Sequence, residues 1–354
     1  EISLGLVGSE MCIRDSCLSA EEIKEIVINF SEQSFRGRQI YNWLYHNNVT
    51  SFDMMTNIPV SLREKLSSEY EFTYFVEVKR LTSSDGSIKF LFRLEDGESI
   101  ESVLLSDGSR ISGCISTQVG CRMGCKFCAT AGAVGFKRSL TVGEILAQVA
   151  ALRKSAEELF DESLLNLVFM GMGEPLDNID NLKKALTILL DDEAFGFSHR
   201  KITVSTSGLI SGIKKFFQME SPVNLAVSIN APNEKIRASI MPVTNKNHLN
   251  DLIQTLKNVD LDKRKRITLE YVLLGGVNDS LAHAKEFVQL IKGIKAKINL
   301  ISYNGSPYSK FKTPSENNVL QFQEYLINNN LTAFIRKKLG QDIAGACGQL
   351  AADY

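Results

Sequence analysis

"LNLVFMGMGEP", residues 165–175, decides the fold. Five apolar positions out of six end abruptly in two glycines, an acid and a proline, which marks a buried strand running into a polar turn. The stretch just before it, "TVGEILAQVAALRKSAEELF" (141–160), reads as a helix, opened by a capping box of Thr141 and Glu144. The same change from helix to strand recurs at "KITVSTS" (201–207), "NLAVSIN" (224–230), "ITLEYVLL" (267–274), "KINLISY" (297–303) and "TAFIRK" (332–337). Alternation of this kind predicts a parallel sheet with right-handed crossovers. Unusual polar groups stand at the carboxyl end of each strand: Gly171–Pro175, Ser205–Gly208, Ser228-Ile229-Asn230 and Asn304. A ring of polar groups from successive strands favours the rim of a β/α barrel over the crevice of an open, doubly wound sheet. The expected fold is therefore α/β, a partial β/α barrel over residues 111–354.

Upstream, "FVEVKRL", "SIKFLFRL", "SIESVLL" and "RISGCIST" are separated by Asp85-Gly86, Asp96-Gly97 and Asp107-Gly108. These are turn signals between alternating apolar runs, and they predict a β meander linking into the barrel over residues 73–110. Three helices are expected before it: one opened by Ser19 and Glu22, then "RGRQIYNWLYHN" and "VSLREKLSSEY". They form a small helical domain over residues 17–72. Residues 1–16, "EISLGLVGSEMCIRDS", have neither the basic start of a signal peptide nor an amphipathic period, and are expected to be a sequencing scar. Cys12 falls within them and is given no role.

The composition is that of an ordinary globular protein: 354 residues, 44% hydrophobic, 23% charged, formal net charge −1. No apolar run has the length of a membrane span, and a soluble, cytoplasmic monomer is expected. Seven cysteines, odd in number and clustered, argue against a secreted disulfide framework. Two basic runs, Lys263–Arg266 and Arg336–Lys338, are more often solvated faces than binding sites.

Three cysteines fall within eight residues in "CRMGCKFC": Cys121, Cys125 and Cys128. Structural zinc takes four ligands, and the four histidines (His46, His199, His248, His283) are scattered without supporting spacing. Three thiolates instead suit a [4Fe–4S] cube with one iron left open. Cys114 and Cys347 stand apart, in "GCISTQVGC" and in the glycine-rich "DIAGACGQL". Isolated cysteines are usually core residues, but both of these are expected near the rim.

With Phe127, the three-cysteine pattern resembles the signature of the radical S-adenosylmethionine (SAM) superfamily, and "GMGEP" resembles its glycine-rich segment. "CISTQVGC", "GFKRSLTVGEI", "VSTSG", "EYVLLGGVND" and "DIAGACGQL" narrow the likeness to the radical-SAM RNA adenine C2-methyltransferases, from about Leu18 to the end of the chain. That resemblance implies that Cys121, Cys125 and Cys128 hold the cluster. It implies that Gly173, Glu174, Ser205, Ser228, Ile229, Asn230 and Asn304 contact SAM, two molecules of it per turnover, and that Glu101 is the acidic residue of the site. Cys347 would carry a methyl group, add it to carbon 2 of adenine and join protein to RNA; Cys114 would then release the product by forming a disulfide. The implied partners are 23S rRNA, tRNA and an electron donor such as flavodoxin or ferredoxin. The chain departs from the family at Asn230, where a histidine is usual, so any imidazole role there is lost. Related alternatives are a carbon-8 adenine methyltransferase, which shares these cysteines, and a zinc-containing RNA-binding module. A radical-SAM activase is a third, but gives Cys114 and Cys347 no purpose.

Overall fold

The computed structural model describes residues 18–72, 75–108, 110–219, 223–262 and 264–352; the expected scar at 1–16 lies outside them. Three helices come first: α1 (Ala20–Asn29), α2 (Phe35–Tyr45) and α3 (Val60–Glu69). The predicted capping box of α1 forms in full, Ser19 and Glu22 each accepting from the other's backbone N–H. Tyr41 and Tyr45 of α2 are buried.

Three antiparallel strands follow, β1 (Val76–Thr82), β2 (Ile88–Arg93) and β3 (Ser99–Ser106), and β4 (Ile111–Cys114) completes the meander. A hairpin of β5 (Gln118–Gly120) and β6 (Phe136–Ser139) comes next, then α4 (Val142–Phe160) and β7 (Leu164–Phe169). The remaining elements alternate: α5 (Ile179–Leu190), β8 (Ile202–Thr206), α6 (Ile210–Gln218), β9 (Asn224–Ser228), α7 (Glu234–Ile240), α8 (Leu249–Lys257), β10 (Ile267–Leu273), α9 (Leu281–Leu290), β11 (Ala296–Ser302), α10 (Glu316–Asn328) and β12 (Ala333–Ile335).

Ten strands form one sheet in the order β1-β2-β3-β4-β7-β8-β9-β10-β11-β12. From β4 onward every neighbour is parallel. The order never reverses, so there is no switch point of the kind a doubly wound sheet uses. Right-handed crossovers then lay the helices on one face and leave the other to curl inward. Among the described residues β12 pairs only with β11, and the barrel is partial, as expected. The meander is hydrogen-bonded to β4 and extends the same sheet. The hairpin of β5 and β6 was not legible: Gln118–Gly120 is too short to show a period, and "GFKRS" carries none.

The helical segment is fastened to the far end of α5. Tyr41 donates to Asp191 (3.0 Å), Lys184 pairs with Glu22 (2.8 Å), and the Tyr45 ring lies beside Phe195.

Candidate active site

Gly120 ends β5 at φ +71°, where a Cβ would collide with the Gly135 carbonyl, and Cys121 N donates to that same oxygen (2.9 Å). The hairpin thus closes the base of a loop that carries Cys121, Cys125 and Cys128. Their side chains pack on an apolar cluster that includes Met123, Phe127, Ile240 and Met241. Burial first, then Glu174 and the neighbouring Cys128 and Asp177, push the Cys121 thiol up to about 12. Cys125 is raised by burial and by Cys128 and Cys121. A cationic iron centre reverses each of these effects and stabilises thiolates. Among the described residues no three His, Cys, Asp or Glu side chains gather into a single-ion site. Three thiolates suit a [4Fe–4S] cube with one iron left open better than structural zinc, which takes four protein ligands. His248 is bonded to Glu234 and His283 to the α9 cap, which leaves neither beside the cysteines.

The cysteines open onto a cavity whose walls come from the carboxyl ends of β7 to β11. Gly173, Glu174, Ser205, Ser228, Asn230 and Asn304 all line it. Gly173 has φ +100°, and a Cβ there would stand 2.5 Å from the Gln118 side chain. Only glycine lets the two loops approach so closely. Glu174 is buried, which raises its carboxyl; bonds from Ser207 and Leu176 oppose the rise. Ser205 donates to Glu270 (3.0 Å). Among the described residues Tyr303 Oη and Asn304 Oδ1 are buried without a hydrogen-bond partner, and Glu270 Oε1 has only a long ion pair with Arg336 (3.6 Å). Buried polar atoms are nearly always paired, so the first two, on one wall, fit a polar ligand such as SAM.

Asn230 has φ +57°, a conformation asparagine tolerates better than most residues. Its Oδ1 accepts from Val272 N (2.8 Å) and its carbonyl from Asn278 (2.7 Å), so most of its polar capacity is spent tying β9 to β10. Ile229 is the expected contact that the structure does not bring to the cavity. Its side chain is in the core, its N–H donates to Glu270 and its carbonyl accepts from Arg237. Glu101 is likewise outside: Oε1 pairs with Lys89 (2.8 Å) and Oε2 accepts from Ala351 N (2.9 Å), so it holds the C-terminal segment.

Cys347 lines this cavity and also a second, smaller one, which it shares with Cys114, Met170 and Arg336. Burial pushes the Cys114 thiol up to about 12; Cys347 adds to the rise and Arg336 opposes it. Cys347 in turn favours the charged guanidinium of Arg336, as do Glu270 (3.6 Å) and Cys114.

Two buried polar residues of this region, and one half-buried arginine, were missed by sequence reasoning. Gln118 donates to Asp177 (2.8 Å) and accepts from Glu174 N (2.9 Å), fastening the cluster hairpin to the glycine-rich turn. Arg237, wholly buried, donates to the carbonyls of Ile229, Ser207 and Ser228 and to the Thr244 hydroxyl. Arg336 was visible only as part of a basic run. The other run, Arg264–Arg266, precedes β10 and lies at the opposite end of the sheet from the cavity, so the structure does not bring it to the mouth; Lys263 is outside the described residues.

Residues 115–288 match the model of the Radical SAM superfamily, and residues 17–72 that of the ribosomal RNA large subunit methyltransferase N-terminal domain. The dual-specificity RNA methyltransferase RlmN of Sulfurimonas denitrificans is 42% identical over 93% of this chain and 95% of its own length. That of Syntrophobacter fumaroxidans is 42% identical over 97% and 99%. A crystal structure of a radical SAM methyltransferase from Sphaerobacter thermophilus superposes with a TM-score of 0.89 at 38% identity, covering 95% of this chain and 98% of that one.

Proposed function

Because the chain belongs to the family of radical-SAM dual-specificity RNA methyltransferases called RlmN, we propose that it methylates carbon 2 of adenine in 23S rRNA, at the peptidyl-transferase centre, and in tRNA, at the adenine 3′ of the anticodon. The family's cofactors are a [4Fe–4S] cluster and SAM. Cys121, Cys125 and Cys128 would hold the cluster, and Gly173, Glu174, Ser205, Ser228, Asn230 and Asn304 would receive SAM. When bound, these groups supply the methyl group and the one-electron chemistry that an aromatic C–H, neither acidic nor nucleophilic, requires.

The observation that carries this reading is the position of Cys347 on two cavities at once, one shared with the three clustered cysteines and the other with Cys114. As thiolate, Cys347 takes a methyl group from the sulfonium of one SAM, with S-adenosylhomocysteine leaving. The methyl carbon on Cys347 would then lose one hydrogen atom to the radical that the cluster and a second SAM supply when bound, and bond to adenine carbon 2, whose own hydrogen would leave as a proton. Cys114 as thiolate would attack the sulfur of Cys347, breaking its bond to the methylene carbon. That carbon takes up a proton as the methylated base departs, the unpaired electron of the adduct returns to the cluster, and an external dithiol restores both thiols from the disulfide. Arg336, on the cavity that both sulfurs share, favours the thiolate of Cys114. Segment 17–72 is assigned to RNA docking, and 111–354 to the chemistry. The reductant is a flavodoxin- or ferredoxin-type donor. The target base has to leave its stack to reach the cavity mouth.

The test is anaerobic reaction of the reconstituted enzyme with an rRNA fragment and a tRNA side by side, followed by mass and NMR analysis of the nucleoside. A methyl group at carbon 2 in both RNAs is the expected result. A methyl at carbon 8, or an unmodified base with a competent cluster, overturns it.

A further inference from the structure

The C-terminal segment that carries Cys347 is held from two sides. On one side lies the cluster loop: Ala129 N donates to Gly348 O (2.7 Å) and Thr130 to Leu350 O (2.6 Å). On the other lies the turn between β1 and β2. Ser83 Oγ donates to the Asp342 carboxylate, Ser84 N donates to its second oxygen (2.9 Å), and Gly340 N donates to Asp85 (2.7 Å). Lys89 of β2 reaches Ala344 O (3.4 Å). Within the segment Gly345 N donates to Gly340 O (2.7 Å), and Ala344 is held at φ +51°, a conformation alanine rarely adopts. A strained residue persists only where its surroundings over-determine it.

Four of these bonds come from the β1–β2 turn and β2. They converge on the few residues just before Cys347. We propose that the β1–β2 turn is a positioning device for Cys347, in which Asp342, gripped by Ser83 and Ser84, fixes the sulfur at the boundary of the two cavities. The inference rests on the reading of Cys347 as methyl carrier. A carrier that must meet a methyl donor on one side and Cys114 on the other is sensitive to displacements of about 1 Å, which cost on the order of 100-fold in rate. The bond from Ser83 and that from Ser84 N hold the Asp342 carboxyl down at about 2, so the grip stays charged throughout the pH range of an assay. Nothing in the meander touches SAM or cluster in this scheme; Asp342 acts through the segment it anchors.

The experiment uses the full chain with its cluster reconstituted, comparing it with Asp342→Ala, Asp342→Asn and Ser83→Ala. Methylation of Cys347 is followed by peptide mass after addition of SAM and reductant without RNA, and amide hydrogen exchange is measured over residues 340–346. The expected result for Asp342→Ala is a fall of about tenfold or more in the Cys347 methylation rate. KM for SAM should stay within about twofold, iron and sulfide content should be unchanged, and exchange over 340–346 should be faster. Asp342→Asn keeps one acceptor oxygen and should recover part of the rate. Ser83→Ala combined with Asp342→Ala should be no slower than Asp342→Ala alone. Methylation of Cys347 at the unmodified rate in Asp342→Ala, or in Ser83→Ala should the first variant not fold, overturns the inference and leaves the proposed function standing. RNA methylation by the unmodified chain with no methyl ever found on Cys347 overturns the carrier reading itself.

Discussion

Cys114 is buried at the end of β4 with its thiol pushed up to about 12, whereas Cys347 stands half-buried on a loop between two cavities. The half-buried partner, open to both cavities, suits the carrier, and the sheltered one the resolving thiol. Cys114→Ala should therefore let Cys347 be methylated and attack the RNA, and then stall with RNA bound covalently through Cys347. Cys347→Ala should give neither adduct nor product. Denaturing electrophoresis, nuclease digestion and mass analysis of the peptide bearing Cys347 separate the two. Normal turnover by Cys114→Ala would remove Cys114 from the scheme. The cysteines were legible in the sequence because thiols are scarce and their chemistry depends on spacing. Gln118 was not, because a buried amide has no motif. Its role depends on a glycine-rich turn more than fifty residues away in the chain.

At the scale of elements, period and punctuation recovered the strands from "FVEVKRL" to "TAFIRK" and the helices opened by Ser19 and Thr141. Polar residues at strand ends correctly located the rim. What holds that rim together was hidden. Arg237 looks like one more charge on a short helix, yet its guanidinium gathers the carboxyl ends of β8 and β9 and the Thr244 hydroxyl. Burial lowers it to about 10. Arg237→Met should leave several buried acceptors unpaired and cost on the order of 3 kcal/mol or more of stability. Arg237→Lys should recover only part of that, since an ammonium cannot span acceptors that a planar fork reaches together. Urea denaturation measures both losses. A difference under about 0.5 kcal/mol for the methionine variant would show that the strand ends hold without it.

Across the whole molecule, the cavity draws on three separate parts of the chain: the loop of the β5–β6 hairpin, the carboxyl ends of β7 to β11 in the ten-stranded sheet, and the C-terminal segment. Glu101, expected from the resemblance to be the acidic residue of the site, stands in the structure between Lys89 and the C-terminal segment. Its position in the meander gave no hint that both carboxylate oxygens would be taken up by Lys89 and the backbone of Ala351. The likeness of Ser228-Ile229-Asn230 to a ligand-binding strand end was legible, but the direction in which Ile229 points was decided by packing.

Cys114 and Cys347 face one small cavity although more than 200 residues of chain separate them. Joining two such distant points removes much of the freedom of the unfolded chain, a stabilisation on the order of 5 kcal/mol in the loop-entropy model. The disulfide stage of the proposed cycle would then also be the hardest to unfold. Enzyme isolated after turnover without a thiol reductant should melt at a higher temperature than the same enzyme reduced, and Cys114→Ala should abolish the difference. Equal melting temperatures for the two forms of the unmodified chain would contradict this. Each round of methylation would thus pass through a cross-linked, more durable state, and reduction would return the protein to a looser one ready for the next RNA.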